Sequence, residues 1–174
     1  MTADPAASAD AAAGRLLEAL AARGWSLGTA ESLTGGLLAA TVVGVPGASS
    51  VFAGSVVAYD PAVKTSLLGV DPHLVGRVGT VAEEVACQMA EGARRVLDVD
   101  LALATTGVAG PGPSEGHPAG TVWLAAATPT GVLARLLTLS GERPEVRSGA
   151  VLAALVLGRE VTLSADGAAG YGGA

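Results

Sequence analysis

Apolar residues run along this chain in two rhythms. Over residues 11–22, 37–43, 81–97 and 143–159 they recur across lengths that suit helices. Gly24 and Gly44 stand just after the first two of these stretches, where glycine ends a helix without steric cost. Thr80 and Glu83 have the spacing of a capping box at the start of the third. Shorter runs at 25–30, 52–59, 101–104, 121–127 and 132–139, rich in small and branched aliphatic residues, read as strands. Alternating strands and helices predict an α/β fold, a single three-layer α/β/α domain with a mainly parallel central sheet. That domain is expected over 11–164. Residues 1–10 and 165–174 are small, polar or glycine-rich, and are expected to be disordered tails.

Composition narrows the picture. Half of the 174 residues are hydrophobic but only 3% are aromatic, so Ala, Val and Leu must fill the core. The net charge of −6, with cations adjacent only at Arg94-Arg95, argues against a nucleic-acid surface. No apolar run reaches the length of a membrane span, and Met1-Thr2-Ala3-Asp4 does not open like a signal peptide, so a cytoplasmic protein without membrane contact is expected. Cys87 is the sole cysteine, which excludes an intrachain disulfide and suits a core thiol. His73, read in a turn after Asp71-Pro72, and His117 lack partners at metal-ligand spacing, so no metal is expected. His117 is left as a surface residue or a substrate contact.

Lys64 is the only lysine beside nine arginines. Guanidinium stays protonated in any folded protein, whereas a lysine amine loses proton affinity when buried and can then act as a base. Asp60-Pro61 reads as an N-cap followed by the first residue of a helix, which makes Lys64 the fourth helical residue. Tyr59, before the cap, is then its partner in a hydrophobic staple, with the amine near the phenol and the positive helix end. The plain alternative is a stem packed on the ring with its head in water.

Two glycine-rich turns follow strands. Ser32 and Thr34 precede Gly35-Gly36 at the start of helix 37–43, where backbone N–H groups can hold an oxyanion or a phosphate, or where the hydroxyls simply cap. The run 105–113 carries Thr106, Gly107, Ala109 and Gly110 among prolines, which reads as a break in the strand at a carboxyl end, where open α/β sheets bind ligands. Neither turn matches a Walker loop or a dinucleotide fingerprint.

Taken in order, Thr29-Ala30-Glu31-Ser32-Leu33-Thr34-Gly35-Gly36, Val45-Pro46-Gly47-Ala48-Ser49, Val57-Ala58-Tyr59 with Lys64, and Thr106-Gly107-Val108-Ala109-Gly110-Pro111 resemble the CinA C-terminal-domain family, the nicotinamide-nucleotide amidohydrolases. The resemblance runs from about residue 16 to 161. It implies hydrolysis of nicotinamide mononucleotide to nicotinate mononucleotide and ammonia without metal or organic cofactor, and a homodimer. Position by position, it makes Ser32 the nucleophile, places Lys64 and Tyr59 beside it in proton transfer, and brings the glycine turns and Arg143 to the substrate. Leu33 departs from the cysteine common in the family, and Ser114-Glu115-Gly116-His117 departs in the loop 113–118, leaving substrate preference open. Two other readings stand beside this one: a non-catalytic nucleotide or phosphate-binding module, and a hydrolase of another small amide. The retained amine favours catalysis, because arginine would serve phosphate binding equally well.

Overall fold

The computed structural model describes residues 5–164. In chain order the elements are α1 (Pro5–Arg23), β1 (Leu27–Glu31), α2 (Leu37–Val43), a 3₁₀ turn (Ala48–Ser50), β2 (Phe52–Val57), α3 (Pro61–Leu68), α4 (Pro72–Val78), α5 (Glu83–Leu97), β3 (Leu101–Gly107), β4 (Thr121–Thr128), β5 (Gly131–Thr138) and α6 (Arg143–Ser164). They form one α/β domain with helices on both faces of a five-stranded sheet in the order β2-β1-β3-β4-β5.

The sheet is parallel at its centre and antiparallel beyond it. β1 runs parallel to β2 and β3, whereas β4 is antiparallel to β3 and to β5. Connection length explains the switch. Only Pro129-Thr130 separate β4 from β5, enough for a hairpin but far short of the crossover a parallel neighbour requires. The expected parallel sheet is therefore its β2-β1-β3 half.

Each face of the sheet has its own core. Leu101 and Leu103 of β3 point into an aliphatic cluster with α1, α2 and α6, whereas Ala102 and Ala104 point toward α3, α4 and α5. The period of two in Leu-Ala-Leu-Ala thus sets leucine on one side and lets the α5 side, with Ala86, Ala90 and Ala93, lie close on the other. This is how a chain nearly without aromatic residues fills two layers.

Several elements differ from expectation. α1 begins at Pro5, where a tail was expected; residues 1–4 and 165–174 lie outside the described residues. His73 is in α4, whose N-cap Asp71 accepts from the His73 N–H at 2.8 Å. β3 continues through Thr105, Thr106 and Gly107 instead of breaking at Ala104, because β4 pairs with it over that length and β1 as far as Thr105. The Thr80/Glu83 capping box does not form: α5 is capped at Ala82 without a side-chain hydrogen bond, and Thr80 is held from elsewhere. Among the described residues no helix is long and apolar enough to cross a membrane.

Candidate active site

The site lies at the carboxyl ends of β1 and β2, where their next residues meet α3. Ser32 follows the last residue of β1, and its N–H reaches the Thr105 carbonyl at 2.9 Å, carrying the β1–β3 ladder one step past the strand. On the other side the Ala58 N–H reaches the Glu31 carbonyl at 2.8 Å. The serine is thus fixed by both neighbouring strands, only 9% exposed.

Lys64 comes from α3, whose start is as expected: Pro61 opens it, and the Asp60 side chain accepts from the Ala62 N–H at 2.7 Å. The side chain turns inward and is 1% exposed. Its Nζ lies 2.7 Å from the Ala58 carbonyl, 3.2 Å from the Tyr59 carbonyl and 3.0 Å from Ser32 Oγ. Burial lowers its pKa from the ordinary lysine value, with Glu115 and then Asp60 opposing. Desolvation is the largest cause of the shift. The staple with the phenol is also replaced, since the lysine takes the main-chain carbonyl of Tyr59 while its ring is 61% exposed. The phenol oxygen instead accepts from Arg143 Nη2 at 3.1 Å, and Arg143 Nη1 reaches the Gly110 carbonyl at 2.8 Å.

Glu31 is the residue that sequence reasoning passed over. Fully buried, it accepts from the N–H groups of Gly36, Leu38 and Ala39 at 2.9, 3.0 and 2.8 Å, and from the hydroxyls of Ser55 and Thr29 at 3.3 and 3.4 Å. An internal carboxylate therefore fills the N-terminus of α2, where an anion from outside was expected. Gly35 N–H is likewise engaged, by the Ser32 carbonyl at 3.1 Å. The hydroxyl of Thr34 pairs with that of Thr105 at 2.8 Å, and Thr106 Oγ1 donates to the Thr80 carbonyl at 2.8 Å. Gly107 serves packing, because a Cβ there would lie 2.4 Å from the Thr121 carbonyl oxygen. The hydroxyls of Thr34 and Thr106 and the N–H groups of Gly35 and Gly36 are thus engaged within the chain.

What remains open is different. Tyr59, Arg143 and the turn from Gly107 to Ser114, with buried Ala109 and left-handed Gly110, line a small polar cavity of about 160 Å³. Arg147, a second residue missed from sequence, lies one helical turn after Arg143 and fixes the Ser32 turn through the Leu33 and Thr34 carbonyls at 3.0 and 2.6 Å. Their spacing of four on α6, both arginine, was the available signal. Across a trans peptide the N–H points opposite the carbonyl, so the Thr34 N–H is directed away from Arg147. The N–H groups of Leu33 and Thr34 have no acceptor among the described residues.

Residues 9–162 match the CinA C-terminal domain family. A CinA-like protein of Frankia casuarinae is 44% identical over 168 residues, covering 91% of this chain and 39% of that protein. A putative competence-damage inducible protein of Desulforamulus reducens is 46% identical over 136 residues, covering 78% of this chain and 33% of its own length. The chain therefore spans between a third and two fifths of these curated relatives. Among solved structures, a CinA superfamily protein of Klebsiella pneumoniae superposes with a TM-score of 0.86 at 31% identity, covering 89% of this chain and 98% of that one. The competence/damage inducible protein CihA of Agrobacterium tumefaciens gives 0.83 at 34%, covering 86% and 93%. With the domain matched almost end to end in both sequence and fold, this chain belongs to the CinA C-terminal domain family.

Proposed function

We propose that this chain is an amidohydrolase that converts nicotinamide mononucleotide to nicotinate mononucleotide and ammonia, with Ser32 as nucleophile and Lys64 as its base. One observation carries the reaction type. Lys64 Nζ has three oxygen neighbours, and two of them are carbonyls, which only accept. A neutral amine that gives its two N–H bonds to Ala58 and Tyr59 is left with its lone pair toward Ser32 Oγ. The hydroxyl proton then has one place to go. Burial favours that neutral form.

The steps follow from this geometry. Lys64 takes the Ser32 proton while Oγ attacks the carboxamide carbon, and the N–H groups of Leu33 and Thr34, which have no acceptor among the described residues, hold the oxyanion in this reading. Collapse of the adduct breaks the C–N bond as the Lys64 ammonium returns the proton to the departing nitrogen, releasing ammonia. Water, deprotonated by Lys64, then cleaves the ester to free carboxylate and restores Ser32. Tyr59, turned toward Arg143, fits a role in substrate contact better than in the serine's own proton path. With the α2 end occupied by Glu31, the cavity at Tyr59, Gly110 and Arg143 is the better place for the nucleotide phosphate.

The substrate and the amide chemistry follow the family resemblance, and the pairing of Ser32 with Lys64 is what the geometry supports, so hydrolysis of another small amide is the nearest alternative. A non-catalytic phosphate module fits less well, since it gives the buried contact between Lys64 and Ser32 no use. Ammonia release from nicotinamide mononucleotide by purified protein, with free nicotinamide as control, tests the proposal. Release from neither would overturn it. The free edge of β2, beside exposed Val43 and Val57, supports a second copy as partner. Light scattering that finds only a monomer would remove the dimer.

A further inference from the structure

The loop between β3 and β4 carries a miniature hairpin whose tip is tied down at Thr80. Ser114 and His117 exchange two main-chain hydrogen bonds of 3.0 and 2.9 Å, leaving Glu115 and Gly116 as a two-residue turn with φ of 51° and 79°. Both are left-handed, the geometry of a tight hairpin, and a glutamate adopts it only against its own preference. The return is at Thr80. One Glu115 oxygen accepts from the Thr80 hydroxyl at 2.8 Å and the other from the Thr80 N–H, while the Thr80 carbonyl accepts from Thr106 of β3 at 2.8 Å. Gly79 makes room for this contact, since a Cβ there would meet Glu115 Oε2 at 2.4 Å.

The same loop carries the cavity wall. Arg143 holds its start at Gly110, and Glu115 holds its tip. Burial of the Glu115 carboxyl opposes its ionisation, yet the hydrogen bonds from Thr80 and Val81, with Lys64, outweigh this and keep its pKa below the ordinary value. The latch therefore carries a negative charge at neutral pH.

We propose that Glu115 is a positioning residue for this site: it latches the loop from Gly110 to Pro118 onto Thr80 and holds a carboxylate charge within electrostatic reach of the Lys64 amine. Burial alone pulls the lysine toward a weaker base. Glu115 is the larger of the two charges that oppose this, with the N-cap Asp60 of α3 the other. Tyr59 at the cavity, His117 across the hairpin and Arg143 at its base are further ionisable groups beside the loop. A general base works best when its pKa lies near the working pH, so a carboxylate that tempers desolvation keeps the amine both neutral enough and basic enough.

The reaction part of this inference rests on the amidohydrolase reading, but its test does not. Because Lys64 is the only lysine, ε-¹³C-lysine labelling gives one side-chain signal whose titration reads this amine alone. Glu115→Gln keeps an acceptor for Thr80 and removes the charge, so the Lys64 midpoint is expected at lower pH than in the parent. Glu115→Asp keeps the charge with a shorter reach and should fall nearer the parent. Glu115→Ala should speed hydrogen exchange at the Thr80 amide at least ~10-fold, as the latch opens. A Glu115→Gln protein with parental circular dichroism and an unmoved midpoint overturns the electrostatic role, and unchanged Thr80 exchange in Glu115→Ala overturns the latch. An inactive parent would instead sink the amidohydrolase reading and leave the coupling between Glu115 and Lys64 standing. In an active parent, the acid limb of kcat/KM should move with the NMR midpoint in Glu115→Gln.

Discussion

Glu31 and Lys64 lie on either side of Ser32, one a chain neighbour and the other a hydrogen bond away, and both are out of solvent. Their surroundings are opposite in kind. Glu31 meets only donors, three main-chain N–H groups and two hydroxyls, which suits a carboxylate and closes the turn before α2. Lys64 meets two carbonyls and one hydroxyl, which accommodates an amine with a lone pair to offer. Burial is common to both, so burial alone does not mark a functional group. The character of the partners separates them: a saturated charge builds the turn, and an amine facing a hydroxyl has the contact that the proposed proton transfer needs.

The comparison breaks most severely if Lys64 proves dispensable. Lys64→Met keeps the stem and removes the amine, a cleaner change than Lys64→Arg in a site with 1% exposure. Turnover should fall at least ~10²-fold, as it should in Ser32→Ala, and the double variant should be no slower than the worse single one, because both serve one step. Ammonia release reads all three. A Lys64→Met enzyme near the parent rate would leave Ser32 without its base.

Glu31→Gln should act on stability in the way Lys64→Met acts on rate. An amide has one oxygen to face donors that now meet two, and neither the Gly36 and Leu38 pair nor Ala39 can reverse its N–H. At least one buried donor loses its acceptor, a cost of about 1–3 kcal/mol. For a chain of this size that lowers the melting temperature by roughly 2–4 °C per kcal/mol. Equal melting temperatures for parent and Glu31→Gln would reduce Glu31 to a replaceable cap.

Arg143 sharpens the contrast from the substrate side. If the phosphate sits, as proposed, at Arg143 and the Gly110 turn, Arg143→Ala should cut the preference for nicotinamide mononucleotide over its riboside about 10-fold. The ratio of the two kcat/KM values measures it. An unchanged ratio moves the phosphate away from this arginine.

Much of this was legible in the chain, and unevenly so. Asp60-Pro61 and the small-residue strands declare themselves locally, because capping and strand patterning depend on neighbours in sequence. Lys64 stood out by its rarity, and its partnership with Ser32 was expected. Its inward turn was not, since whether a side chain points to a phenol or to a buried hydroxyl is decided by β1 beside β2. Glu31 was hidden for the same reason: its main-chain donors come five to eight residues later, across a turn whose path the sequence does not reveal. Thr80 shows the limit most clearly, for the local capping box with Glu83 lost to a carboxylate 35 residues away.

The smallest effect is a slope. Lys64 has a lowered pKa in the folded protein and an ordinary one, about 10.4, in the unfolded chain. Between those two values the unfolded state holds a proton that the folded state has released, so stability rises with pH across that window by linkage. Below the window both states are protonated, and the folded protein carries the full cost of the buried ammonium. Above it both are neutral and the slope vanishes. Lys64→Met has no such group, so the stability of the parent relative to Lys64→Met should climb through the alkaline window, by at most one proton's worth. Urea melts of both proteins from pH 7 to 10 measure the difference. Curves that stay parallel would mean that the amine titrates as it does in water, and the contrast with Glu31 would then lose the neutral, proton-accepting lysine on which it depends.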